Sequence, residues 1–167
     1  MRIACVLLLV ASSACGDSSR DVTAQQVADS IAKRGAKSVA NELNRERGLT
    51  SWSYIQDRVA SGELSWLNVA AKLRPFTDAG NAEGLDNAVA DALPKAPAQV
   101  LGMLGESFHA SRVCSGGQFI EVPKATVVGF LKRAKAAVGG VGEPALAKSK
   151  EKCLSEIDTS LKALSAK

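Results

Sequence analysis

Three side chains stand close enough in the chain to suggest chemistry: Glu106, His109 and Cys114. His109 is the single histidine of the 167 residues. A helix ending at Phe108-His109 would put Glu106, three residues earlier, on the same face. A Glu–His pair of that kind would bind a metal or move a proton. Metal sites take three or four protein ligands, and the only further donor nearby is Cys114, so no metal site is expected. A Cys114 nucleophile with His109 as its base is the sharper idea, and it requires a free thiol. The bland alternative is a surface histidine near a helix C-terminus.

Other motifs are weaker. Ser115-Gly116-Gly117 has the glycines of a phosphate-cradling loop but no following Lys-Ser/Thr pair, so it reads as a turn. Gly105-Glu106-Ser107 lacks the second glycine and the preceding strand of a nucleophile elbow. Asp78, Glu83, Asp86 and Asp91 supply carboxylates, yet nothing in their spacing sets two across a cleft as glycoside hydrolysis needs. They read as helix caps and solvated faces. No catalytic, cofactor-binding or metal-binding residues are expected. Trp52 aligns with Ile55 and Val59 and Trp66 adjoins Leu67, so both tryptophans read as core. Tyr54 lies off that stripe beside Arg58. Aromatics with arginine are favoured at interfaces, so Tyr54, Arg58 and Arg74 form the candidate interaction patch.

The compartment follows from the first residues, "MRIACVLLLVASSACGDSS". Arg2 is a minimal positive start, and residues 3–11 are an apolar run shorter than the roughly 20 residues a spanning helix needs. Small residues follow at Ser12-Ser13-Ala14. These are the parts of a secretory leader, taken as residues 1–14, followed by a polar tether over 15–22. The stretch resembles a bacterial lipoprotein signal, which implies cleavage after Ala14 and a lipid on Cys15. Ser12 departs from the leucine usual there. Gly16 after the cysteine resembles lipoproteins sent on to the outer membrane, so the expected place is its periplasmic face. A soluble periplasmic or secreted form is the alternative. Cys5 would leave with the leader. Outside the cytoplasm thiols oxidise, and a lipidated Cys15 leaves an even pair, Cys114 and Cys153. Their disulfide would close a loop of about 40 residues, worth roughly 4 kcal/mol in the chain-entropy estimate, and would remove Cys114 as a nucleophile.

The elements that must position these residues are helical throughout. Thr23-Ala24-Gln25-Gln26 is a capping box opening a segment with Val27, Ile31, Val39 and Leu43 in phase, which Gly35 weakens or breaks. Thr50 or Ser51 caps a helix carrying Trp52, Ile55 and Val59, stopped by Gly62. Leu64, Leu67, Ala70 and Leu73 mark the next, ending before Pro75. After the loop "RPFTDAGN", another from about Ala82 presents Leu85, Val89 and Leu93. Pro97 opens a further helix with Val100, Leu101, Leu104 and Phe108 inward. Residues 119–122 read as extended, a short edge strand. Pro123 and Pro144 then start two helices, the last carrying Cys153, Ile157, Leu161 and Leu164 on one stripe. The fold class is therefore all-α: one domain over residues 23–167, a compact bundle or irregular array of six or seven short helices with one disulfide. No fixed repeat period is visible.

An aromatic content of 4% suits closely packed helices better than sheets. Loss of Arg2 leaves 20 basic against 17 acidic side chains, a net charge of +3. That is too mild to imply nucleic acid. The balance is uneven: residues 112–167 carry ten basic and five acidic side chains, and residues 15–111 carry ten and twelve. A basic half would suit a polyanion such as a lipid headgroup, but a solvated surface is the simpler reading. The stretch "GELSWLNVAAKLRPFTDAGNAEGLDNAVADALPKAPAQVL" with a late cysteine pair is similar to small uncharacterised secreted proteins of proteobacteria, over about residues 50–153, and brings no activity with it. Two functions remain. One is a non-enzymatic module, held to the membrane through Cys15, that docks another envelope protein. The alternative is a cell-wall hydrolase using carboxylates or the Glu106–His109 pair.

Overall fold

The computed structural model describes residues 22–45, 50–117, 119 and 122–166. The expected leader, Cys15 and the tether up to residue 21 lie outside them. Nine α-helices follow one another among the described residues, with no strand.

α1 (Ala24–Arg34) opens on the capping box: Thr23 Oγ1 accepts from the Gln26 N–H at 3.2 Å, and Gln26 Oε1 accepts from the Thr23 N–H at 2.9 Å. Gly35 then takes φ 82° and ψ 146°, a combination close to the region that glycine alone adopts readily. It ends α1 with its N–H on the Ile31 carbonyl at 2.8 Å and begins α2 (Ala36–Asn44). One continuous apolar period is thus folded into two helices. Ser51 Oγ accepts from the Tyr54 N–H at the start of α3 (Trp52–Ala60). Gly62 turns the chain at φ 84°, with Lys95 Cβ only 3.1 Å from where its own Cβ would stand.

α4 (Leu64–Leu73) ends before Pro75 as expected, and a 3₁₀ turn over Arg74–Phe76 follows it. Asp78 Oδ1 caps α5 (Ala79–Ala92) by accepting from the Asn81 N–H at 2.9 Å. The helix therefore begins three residues before the first in-phase apolar residues suggest. α6 (Pro97–Met103) is short, as is α7 (Ala110–Val113). α8 (Lys124–Gly139) and α9 (Ala147–Ser165) are the long helices, joined by a 3₁₀ turn over Pro144–Leu146.

α3 lies along α5, and α8 along α9. α1 packs on α2 and α4, α7 on α5 and α9, and α6 touches α4, α5, α8 and α9. α6 therefore bridges the two flanks, and one apolar cluster runs through both. Ile55, Leu67, Leu85, Leu93, Leu101, Leu131 and Ile157 have essentially no exposed surface. Burial of each such aliphatic side chain is worth about 1.5–3 kcal/mol. Of the expected edge strand, positions 120 and 121 lie outside the described residues. Phe119 packs the edge of its ring on Phe130, with centroids 4.8 Å apart.

Candidate functional site

The cysteines expected to pair do so. Cys114 caps the C-terminus of α7 and Cys153 sits mid-way along α9; their Cα atoms are 5.4 Å apart and a disulfide joins them. That separation lies in the ordinary range, and both residues are buried. Cys114 is therefore no nucleophile.

The Glu106–His109 face does not form. α6 ends at Met103, because Gly105 leaves the helix and returns its N–H to the Phe108 carbonyl at 3.0 Å, with a bridge between Leu104 and Phe108. Phe108 is still drawn into the core. His109 becomes the exposed N-cap of α7 rather than the end of a helix, and Glu106 is exposed in the preceding turn.

The carboxylates are distributed over separate tasks. Asp78 is the α5 cap. Asp86, the buried charged residue of the described chain, accepts from Arg74 Nε and Nη2 at 3.0 and 3.1 Å. This two-pronged geometry gives both partners of a half-sequestered pair their hydrogen bonds. Arg74 also lies 5.7 Å from the Phe108 ring centroid. Glu83 is exposed on α5. Asp91 lines an open groove of about 410 Å³ with Pro94, Lys95, Phe130 and Arg133.

The aromatic patch is divided by the fold. Arg58 Cζ lies 5.1 Å from the Tyr54 ring centroid, so these two are together. Tyr54 is half-buried rather than exposed: it meets Trp66 edge-on at 5.9 Å, and its hydroxyl donates to the Val22 carbonyl at 2.8 Å. Arg74 is engaged instead by Asp86 and Phe108. Trp52 and Trp66 are buried as expected, and the Trp52 indole N–H donates to Asn44 Oδ1 at 2.7 Å. Asn81 Nδ2 donates to the same oxygen at 3.2 Å.

One feature of the surface carries no sequence motif. A cleft of about 290 Å³ opens between α9 and the turn before α7, lined by Leu104, Gly105, Ala110, Lys148, Ser149 and Lys152. Its only trace in the sequence is the basic excess of residues 112–167. Among the described residues no group of three His, Cys, Asp or Glu side chains is placed to hold a metal, and no helix is long and apolar enough to cross a membrane. Comparison with protein-family models, with curated proteins and with solved structures gives no match to this chain.

Proposed function

We propose that the chain is an exported helical domain, held at the membrane by a lipid on Cys15, which acts by docking another envelope component rather than by catalysis. The observation that carries this reading is the Cys114–Cys153 disulfide, buried at both ends. Such bonds persist where the surroundings are oxidising, and this one leaves Cys15 as the cysteine available for a lipid after the leader. The engagement of Asp78, Asp86 and Arg74 in capping and pairing also supports a scaffold more than a reaction centre.

The anchor would orient the molecule. Val22 is held by Tyr54, and seven residues of extended chain from Cys15 to Val22 span no more than ~25 Å. The end formed by α1 and α4 would then stand beside the membrane. The flank built on α8 and α9, which packs on α6 and α7, would face outward. The Tyr54–Arg58 stack is the part of the aromatic patch offered for docking.

The test is the intact mass of protein expressed from the full sequence and recovered from bacterial membranes, with and without reductant. A chain beginning at Cys15 with an acyl-sized excess, gaining two hydrogens on reduction, is the expected result. An unmodified chain with free thiols in the soluble cytosolic fraction would overturn the reading.

A further inference from the structure

Lys148 and Lys152 stand one turn apart on α9, and both line the cleft beside the turn before α7. Neither ammonium has a hydrogen-bond or ion-pair partner among the described residues. Three other lysines are engaged, whereas Lys132 and Lys162, like this pair, have no partner among the described residues. Lys95 Nζ donates to the Ala60 carbonyl at 2.5 Å, and Lys135 pairs with Asp158 at 2.5 Å. Lys150, on the far side of α9, donates to the Gly139 and Val141 carbonyls at 2.8 and 2.7 Å. Like charges one turn apart on a helix repel, and no carboxylate lines the cleft to offset them. Glu106, in the turn itself, and His109, the N-cap of α7, are exposed and do not line the cleft.

The walls of the cleft are braced. Ala110 begins the short helix that Cys114 closes, and Lys152 immediately precedes Cys153, so the disulfide joins one wall to the other. Two ammonium groups and the Ser149 hydroxyl supply donors, and ammonium offers no acceptor at all. Leu104 and Ala110 give the cleft an apolar side. We propose that this cleft binds an oxyanion, the phosphate or carboxylate end of a ligand whose hydrocarbon portion lies against Leu104 and Ala110. The site is independent of the lipid on Cys15.

The experiment is an NMR titration of the protein purified after expression from its full sequence, at low ionic strength, using inorganic phosphate as the probe. The amides of Gly105, Ala110 and Ser149 are expected to shift together and saturate. Lys148→Gln with Lys152→Gln should weaken binding about fivefold or more, as the loss of two exposed charge contacts predicts. Lys132→Gln with Lys162→Gln removes the same charge elsewhere and should leave the affinity within about twofold. A parallel arm with phosphatidylglycerol vesicles identifies the source: displacement of phosphate assigns the site to a lipid headgroup, and indifference to vesicles assigns it to a soluble anion. Shifts spread over the basic surface without saturation would overturn the proposal. So would equal weakening by the two double variants.

Discussion

The two flanks of α6 are held together by different means. On the N-terminal flank, α1 to α5 are pinned by directional polar contacts: Arg74 on Asp86, Trp52 and Asn81 on Asn44, Tyr54 on Val22. On the C-terminal flank, α7 and α9 are joined covalently through Cys114 and Cys153, and α8 is capped by Lys150. The first flank has near-balanced charge and the second is basic. A small aromatic-poor core leaves each flank in need of a fixing device. One chose hydrogen bonds whose loss strands buried polar groups, and the other a cross-link that restricts the unfolded chain.

The largest effect should come from the covalent side. Cys114→Ser with Cys153→Ser is expected to lower unfolding free energy by about 4 kcal/mol, read by urea denaturation. Phosphate binding at the Lys148–Lys152 cleft should weaken with it. A loss under about 1 kcal/mol would mean that packing alone holds α7 to α9. On the other flank, Asp86→Ala leaves the Arg74 guanidinium, one-fifth exposed, without its carboxylate. The expected loss is about 2–3 kcal/mol, less than for a wholly buried pair. Arg74→Met with Asp86→Leu should recover a good part of it, and failure to recover would show that the pair itself, beyond mere satisfaction of two charges, stabilises the flank.

Gly35→Ala tests the backbone rather than any contact. No atom lies within 4 Å of the added Cβ, so the expected cost of about 1–3 kcal/mol is conformational. An unchanged melting temperature would show that α1 and α2 tolerate a different junction. The smallest change, Tyr54→Phe, removes one hydrogen bond and should cost about 1 kcal/mol. Its signature is local: faster hydrogen exchange in the first turn of α1, with α8 and α9 unaffected. Equal acceleration across both flanks would erase the distinction between them.

The helices and the core were readable because they depend on local rules. The capping box at Thr23, the Ser51 cap and the in-phase Val27, Ile31, Ile55 and Val59 are all short-range signals. The disulfide is legible from cysteine parity once an oxidising compartment is expected. The failures are non-local or conformational. Asp78 caps α5 before any apolar residue announces that helix, and Gly105 diverts the chain so that Phe108 reaches the core without a helix beneath it. The Glu106–His109 face depended on that missing helical turn. Arg74 was assigned to the surface because its partner Asp86, twelve residues on, is invisible to periodicity. The Lys148–Lys152 cleft needed the turn before α7 to fold back against α9, a contact across some forty residues that no local pattern encodes.

The disulfide also makes the span between Cys114 and Cys153, which contains the whole of α8 and the first turns of α9, a closed covalent ring. The glycines at 139, 140 and 142, exposed at and just after the end of α8, offer a protease accessible backbone. A single cut there opens the ring without releasing anything: both pieces stay attached, and α8 still lies against α9. The flank that faces outward in the proposed orientation can thus be nicked and remain one molecule.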